Sequence, residues 1–344
     1  LKIGLSQQTN YMKKVFLILF AAAISFICKA QVDPHFSQYY VYPSWLNPAL
    51  TGAIDGDYRI SAIYRNQWSN IANGFSTVGL SGDVVTNKNL NFGGSILQQT
   101  AGNGGFTYLT AHASIAYTGV KFGINGNQRL VFGLQAGMVQ RRFNTSKFQF
   151  GDQWFAATGY NPNTPTTDII ANPSSTVFDA GAGMVYYDAA PNKKANIFLG
   201  FSANHITQPD DKFLSSSVVT TKFPIRYTVH GGVKINASEV LSITPNLLYL
   251  RQGNAEEKML GAYAQIKASA ITDVLLGFNY RFDDALVPFA GFYYKSFTLG
   301  LSYDINSSQL SKNIGTANSF EFSLSYTGRK NKELSGKNFI CPRL

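Results

Sequence analysis

From residue 57 to residue 326 the chain repeats one unit: about ten residues that are apolar at every second position, then a turn. Within 225–236, Ile225, Tyr227, Val229, Val233 and Ile235 alternate with Arg226, Thr228, His230, Lys234 and Asn236, with Gly231 and Gly232 in register. Side chains alternate faces along a strand, so each unit has one greasy and one wet face. A water-soluble sandwich would bury the greasy face in a core. A membrane barrel turns it to lipid and keeps the wet face in its lumen.

Composition favours the barrel. Charged residues make up 14% of the chain, well below the quarter usual in soluble domains, while aromatics reach 14% and glycines number 31. The amino terminus gives the compartment. Met12, Lys13 and Lys14 precede an apolar run over 15–28, too short to span a bilayer, and Cys28-Lys29-Ala30 ends in small residues at the cleavage positions. Residues 12–30 are therefore expected to be a secretory signal peptide, with Gln31 the first mature residue and 1–11 an upstream extension outside the natural product. A lipidated Cys28 is the rival reading, disfavoured by Ile27 before it. Cleavage leaves Cys341 alone, which excludes an internal disulfide scaffold. The net charge of +10 is concentrated at the chain ends, with no basic helix or Cys/His finger, so nucleic acid is not an expected partner.

The pattern predicts an all-β fold, a transmembrane antiparallel barrel of about fourteen strands over 57–327. Strands are expected at 57–66, 76–85, 90–100, 107–119, 129–142, 177–188, 196–206, 225–236, 240–252, 257–269, 272–283, 286–295, 296–305 and 318–327. Their connections alternate between short and long, and 143–176 and 207–224 far exceed hairpin length. Outer-membrane barrels keep short turns on the periplasmic side and long loops outside. An even strand count then predicts both termini in the periplasm, with 31–56 an extended pre-barrel segment and 328–344 a basic tail. Aromatics such as Tyr64, Tyr117, Phe122, Tyr249 and Tyr280 fall near strand ends, as interfacial girdles require.

No zinc spacing, Walker loop or G-x-S-x-G elbow is present, and no cofactor is expected. His112 and Ser114 share a strand face at a spacing used by outer-membrane phospholipases. That face also carries Thr110 and Ala116 and is expected to be luminal, where lipid cannot reach. Acidic turn residues Asp57, Asp152, Asp210, Asp211, Asp283 and Asp284 lack a calcium-loop spacing and are read as solvated loop charge.

Three stretches carry a resemblance. Asp33-Pro34-His35-Phe36-Ser37-Gln38-Tyr39, Leu46-Asn47-Pro48-Ala49-Leu50-Thr51-Gly52 and Tyr64-Arg65-Asn66-Gln67-Trp68 together resemble the opening of the PorP/SprF family. Shorter matches are Phe132-Gly133-Leu134-Gln135-Ala136-Gly137, Gly200-Phe201-Ser202, Gly300-Leu301-Ser302-Tyr303-Asp304 and the terminal Cys341-Pro342-Arg343-Leu344. The resemblance covers the mature chain and implies a non-enzymatic outer-membrane component of type IX secretion and gliding machinery in Bacteroidetes. It implies contact with periplasmic secretion components and with a large secreted surface protein such as an adhesin, besides outer-membrane lipid.

Read physically, these stretches are placement and docking devices. Pro34, Pro43 and Pro48 predict an extended, rigid 33–52. Phe36, Tyr39, Tyr40, Tyr42, Trp45 and Leu46 are too apolar to dangle in water; they must pack inside the barrel mouth or on a partner. The partner-binding candidates are Asp33, Pro34, Phe36, Gln38, Tyr39, Trp45, Asn47, Pro48, Arg65 and Trp68, with Cys341, Pro342 and Arg343 in the tail. The competing functions are a channel for small solutes or hydrophobic compounds and a phospholipase.

Overall fold

The computed structural model describes residues 33–68, 74–86, 88–102, 105–168, 172–191, 193–212, 222–308 and 317–329. The expected signal peptide, most of the basic tail and its Cys341, Pro342 and Arg343 lie outside the described residues.

Fourteen antiparallel strands close into a barrel. In chain order they are β1 (Tyr58–Gln67), β2 (Phe75–Val84), β3 (Leu90–Ala101), β4 (Phe106–Phe122), β5 (Gln128–Phe143), β8 (Ser174–Asp188), β9 (Ala195–Asn204), β10 (Arg226–Asn236), β11 (Leu241–Gln252), β12 (Ala255–Ser269), β13 (Thr272–Arg281), β14 (Ala285–Tyr294), β15 (Phe297–Asn306) and β16 (Ser319–Gly328). The short pair β6 (Trp154–Phe155) and β7 (Gly159–Tyr160) is a hairpin inside the β5–β8 loop. Each strand pairs with its sequence neighbour, and β1 closes on β16 from Tyr58↔Gly328 to Gln67↔Ser319. Every expected strand is present, within about three residues at each boundary.

The burial pattern is inside-out. Leu134 is 60% exposed and Phe178 63%, whereas Ser202 and Glu321 are fully buried. In β10 Tyr227 and Ile235 face outward while Arg226, Thr228 and His230 are buried, as the alternation predicts. Apolar side chains on the outside of a closed sheet, with serine and glutamate within, require a lipid exterior. Aromatic pairs ring the strand ends, among them Tyr58 with Tyr326 and Phe297 with Tyr326. Tyr187, by contrast, is buried in the interior.

Residues 34–56 depart from the extended conformation expected, and of the two packings expected, in the barrel mouth or on a partner, they take the barrel. They fill its interior as two short turns, α1 (Pro43–Leu46) and a 3-10 turn (Pro48–Leu50). Proline stands at the first position of each, where its fixed φ suits a helical start and no N–H is needed. The segment runs the length of the lumen. Ser37 touches Arg65, Asp304 and Glu321, near the loop ends of β1, β15 and β16, whereas Gly52 touches Asp83 near the turn end of β2. Pro34 and Gly328 thus lie toward opposite ends of the barrel. An even strand count constrains only the ends of the wall, Tyr58 and Gly328, which do meet.

Candidate functional site

The apolar side of the internal segment meets a matching lining. Tyr39, Tyr40, Leu46 and Leu50 pack with inward-facing Val131, Val185, Tyr187, Phe198 and Leu248. Phe36, Tyr42 and Trp45 pack with Ile63, Leu97, Tyr108, Val139 and Phe223. A water-filled pore would present polar groups at those wall positions. Between Tyr39, Trp45 and the wall at Arg226 and Glu257 the remaining cavity is about 20 Å³, room for one water molecule.

The polar side is read through both backbone and side chains. Glu321 accepts the N–H groups of Ser37 at 2.6 Å and Gln38 at 2.9 Å on its two oxygens. Asp83 accepts that of Gly52 at 2.7 Å. Arg226 donates to the Trp45 carbonyl at 2.7 Å and Ser202 to the Leu46 carbonyl at 2.8 Å. The Arg226 guanidinium also lies over the Trp45 ring, 4.1 Å from its centroid. Asn47 is fully buried; its amide donates to the carbonyls of Met184 and Phe201, both at 3.1 Å, and its oxygen accepts from Ala49 N at 2.9 Å. The Tyr39 hydroxyl donates to Asn246 at 2.7 Å, and that of Tyr42 to the Ile96 carbonyl at 2.8 Å.

Close approach is made possible by wall glycines. A methyl group added at Gly133 would collide with the backbone of Pro48 and Ala49, at Gly183 with Asn47, and at Gly300 with Gln38. Gly133 and Gly300 stand in the short motifs quoted above, so part of those motifs is the seat of the internal segment.

At the loop end, four buried charges hold Ser37. Arg65 pairs with Glu321 and, at 2.8 Å, with Asp304; Arg281 reaches Asp304 at 2.7 Å. The Ser37 hydroxyl donates to Asp304 at 2.8 Å and accepts from both guanidinium groups at 3.0 Å. Buried charge persists only when paired and hydrogen-bonded, and every member here has both. Asp284 completes the cluster on Arg281 at 2.5 Å.

The remaining candidates are placed as follows. Asp33 is the first described residue, and the Pro34 carbonyl accepts from Trp45 Nε1 at 3.0 Å. Phe36, Gln38, Tyr39, Trp45, Asn47, Pro48 and Arg65 all converge in the lumen, whereas Trp68 lies at the loop end with a positive φ, edge-on to Phe75 at 5.7 Å. His112 and Ser114 are both luminal: His112 Nε2 meets Asp179 at 2.9 Å, and the Ser114 hydroxyl accepts from Thr51 at 2.8 Å. His205 takes the other Asp179 oxygen at 2.9 Å. Asp211 pairs with Arg141 at 2.9 Å. Among the described residues no cluster of His, Cys, Asp and Glu is placed to hold a metal ion. Sequence reasoning missed Glu321, Asp83, Arg226 and Arg281, whose contacts with the internal segment join residues far apart in the chain.

The fold resembles solved outer-membrane barrels at low identity. The toluene transporter TbuX of Ralstonia pickettii aligns with a TM-score of 0.46 and 10% identity over 82% of this chain and 92% of that one. The CymD monoaromatic hydrocarbon channel gives 0.48 and 9% over 84% and 93%. The toluene transporter TodX of P. putida gives 0.47 and 10% over 81% and 92%. No curated protein sequence matches. The model of the type IX secretion system membrane protein family PorP/SprF matches residues 28–326. With that match over most of its length, on a closed outer-membrane barrel, the chain belongs to the PorP/SprF family of type IX secretion system membrane proteins.

Proposed function

We propose that the protein is a plugged, non-enzymatic scaffold of the outer-membrane secretion apparatus, supporting secretion or surface attachment of a large cargo protein such as an adhesin. The observation that carries this reading is the occupied lumen: residues 34–52 are packed and hydrogen-bonded along the wall. A small-solute or hydrocarbon channel needs that space. A phospholipase needs His112 and Ser114 on the lipid side, and both are buried within.

The turn end with its basic tail faces the periplasm in this reading, and the loop end faces outward. Loops 143–176 and 207–224, long and rich in Asn, Pro, Ser and Thr, are the outer contact surface for cargo. Trp68 borders them. The tail 328–344, with Cys341, Pro342 and Arg343, contacts periplasmic secretion components. Asp33, Pro34, Phe36, Gln38, Tyr39, Trp45, Asn47, Pro48 and Arg65 serve partner binding indirectly, by keeping the barrel closed and rigid.

Co-purification from native membranes tests the assignment. Deletion of 333–344 is expected to leave the barrel in the outer membrane and to lose its periplasmic partner; unchanged partner recovery refutes the tail's role. Planar-bilayer conductance separates scaffold from channel, with a closed baseline expected.

A further inference from the structure

We propose that the lumen is a polypeptide-binding site in its own right, and that residues 34–52 are its resident ligand. The inference goes beyond the secretory role and does not depend on it.

The wall reads the main chain of its occupant as well as its side chains. Glu321 and Asp83 accept backbone N–H groups, while Arg226 and Ser202 donate to backbone carbonyls, at 2.6–2.9 Å. Asn279 adds a bond to the Ser37 carbonyl at 3.3 Å. These wall groups are buried, and an empty lumen would leave carboxylates and a guanidinium without those partners, which is costly. Glycines replace side chains where the occupant comes closest, its backbone at Gly133 and the Asn47 side chain at Gly183. Such a wall is complementary to a peptide, not to a solute.

Side-chain recognition is spread along the segment: the Ser37 and Tyr39 hydroxyls and the Gln38 amide bond wall side chains, and the Tyr42 hydroxyl bonds a wall carbonyl. Asn47 bonds two strand carbonyls and caps its own turn, and Trp45 lies under Arg226. The ligand class is therefore a polypeptide of about twenty residues with proline-initiated turns, an Asn before the second proline, and aromatic residues on one side. The connection at 53–57 serves as a tether that raises the local concentration of this ligand and adds little to recognition.

A protease site inserted between Gly56 and Asp57 of the full mature chain, cut after folding in detergent, tests this. The released-end peptide is expected to stay with the barrel through gel filtration. A fluorescent synthetic peptide of residues 33–54 then exchanges into the cut protein, and its Asn47→Ala version binds at least tenfold more weakly. Immediate loss of the peptide on cutting, with the barrel still folded, overturns the proposal. Equal binding of the two synthetic peptides overturns it as well. Should the insertion prevent assembly, the same site between Asp55 and Gly56 provides the cut.

Discussion

Arg65 of β1 and Glu321 of β16 face each other across the seam that closes the barrel, and the same Glu321 binds the backbone of Ser37 at 2.6 Å. Closure of the wall and seating of the internal segment therefore share one ion cluster. Arg65→Ala leaves Asp304 and Glu321 buried with one guanidinium between them, and is expected to cost about 3–5 kcal/mol. The exposed pair Lys258–Glu256 at 3.1 Å is the comparison. Lys258→Ala is expected to cost about 0–1 kcal/mol. The temperature at which the folded band disappears in semi-native gels reports both.

Gly133→Val drives a side chain into the backbone of Pro48 and Ala49. Overpacking of this kind costs about 1–3 kcal/mol where side chains can yield, and here the obstacle is main chain. The internal segment is expected to be displaced and bilayer conductance to appear. At Gly151 an added methyl meets nothing within 4 Å, so Gly151→Ala is expected to stay closed and as stable as the parent.

The wall was legible from sequence because its period of two runs through all fourteen strands, and because the longest connections all fall on one side. The lumen was legible only in part. Trp45 and Tyr39 announce that 33–52 must pack, but hydrophobicity does not say against what. Ile63, Leu97, Val185 and Phe198 are inward-facing apolar residues that read as ordinary strand positions, and only the closed barrel shows that they line one space. Pro43 and Pro48 signal a break in regular structure, yet the same residues suit the first position of a short turn. Glu321 and Arg65 are separated by 256 residues, and no local pattern joins them.

In the β5–β8 loop, the Thr167 N–H donates to Asp152 at 2.7 Å and holds that carboxyl below the usual carboxylate range. A lowered folded-state pKa means that the stabilisation is present above the ordinary value of about 3.9 and is lost as pH falls through the lowered one. The Thr167 amide resonance is expected to titrate with a midpoint under that ordinary value. In Asp152→Asn the titration is expected to vanish.

The central claim is that the barrel encloses its own amino-terminal segment. In a Cys341→Ser background, cysteines replacing Thr51 and Ser114 would occupy sites whose hydroxyl oxygens lie 2.8 Å apart, the former on the internal segment and the latter on the inner wall of β4. Mild oxidation of the folded protein in outer membranes is expected to join them, seen as faster migration on a denaturing gel that reductant reverses. Two cysteines that stay unlinked, and that a bulky water-soluble maleimide labels freely in the folded barrel, would contradict it.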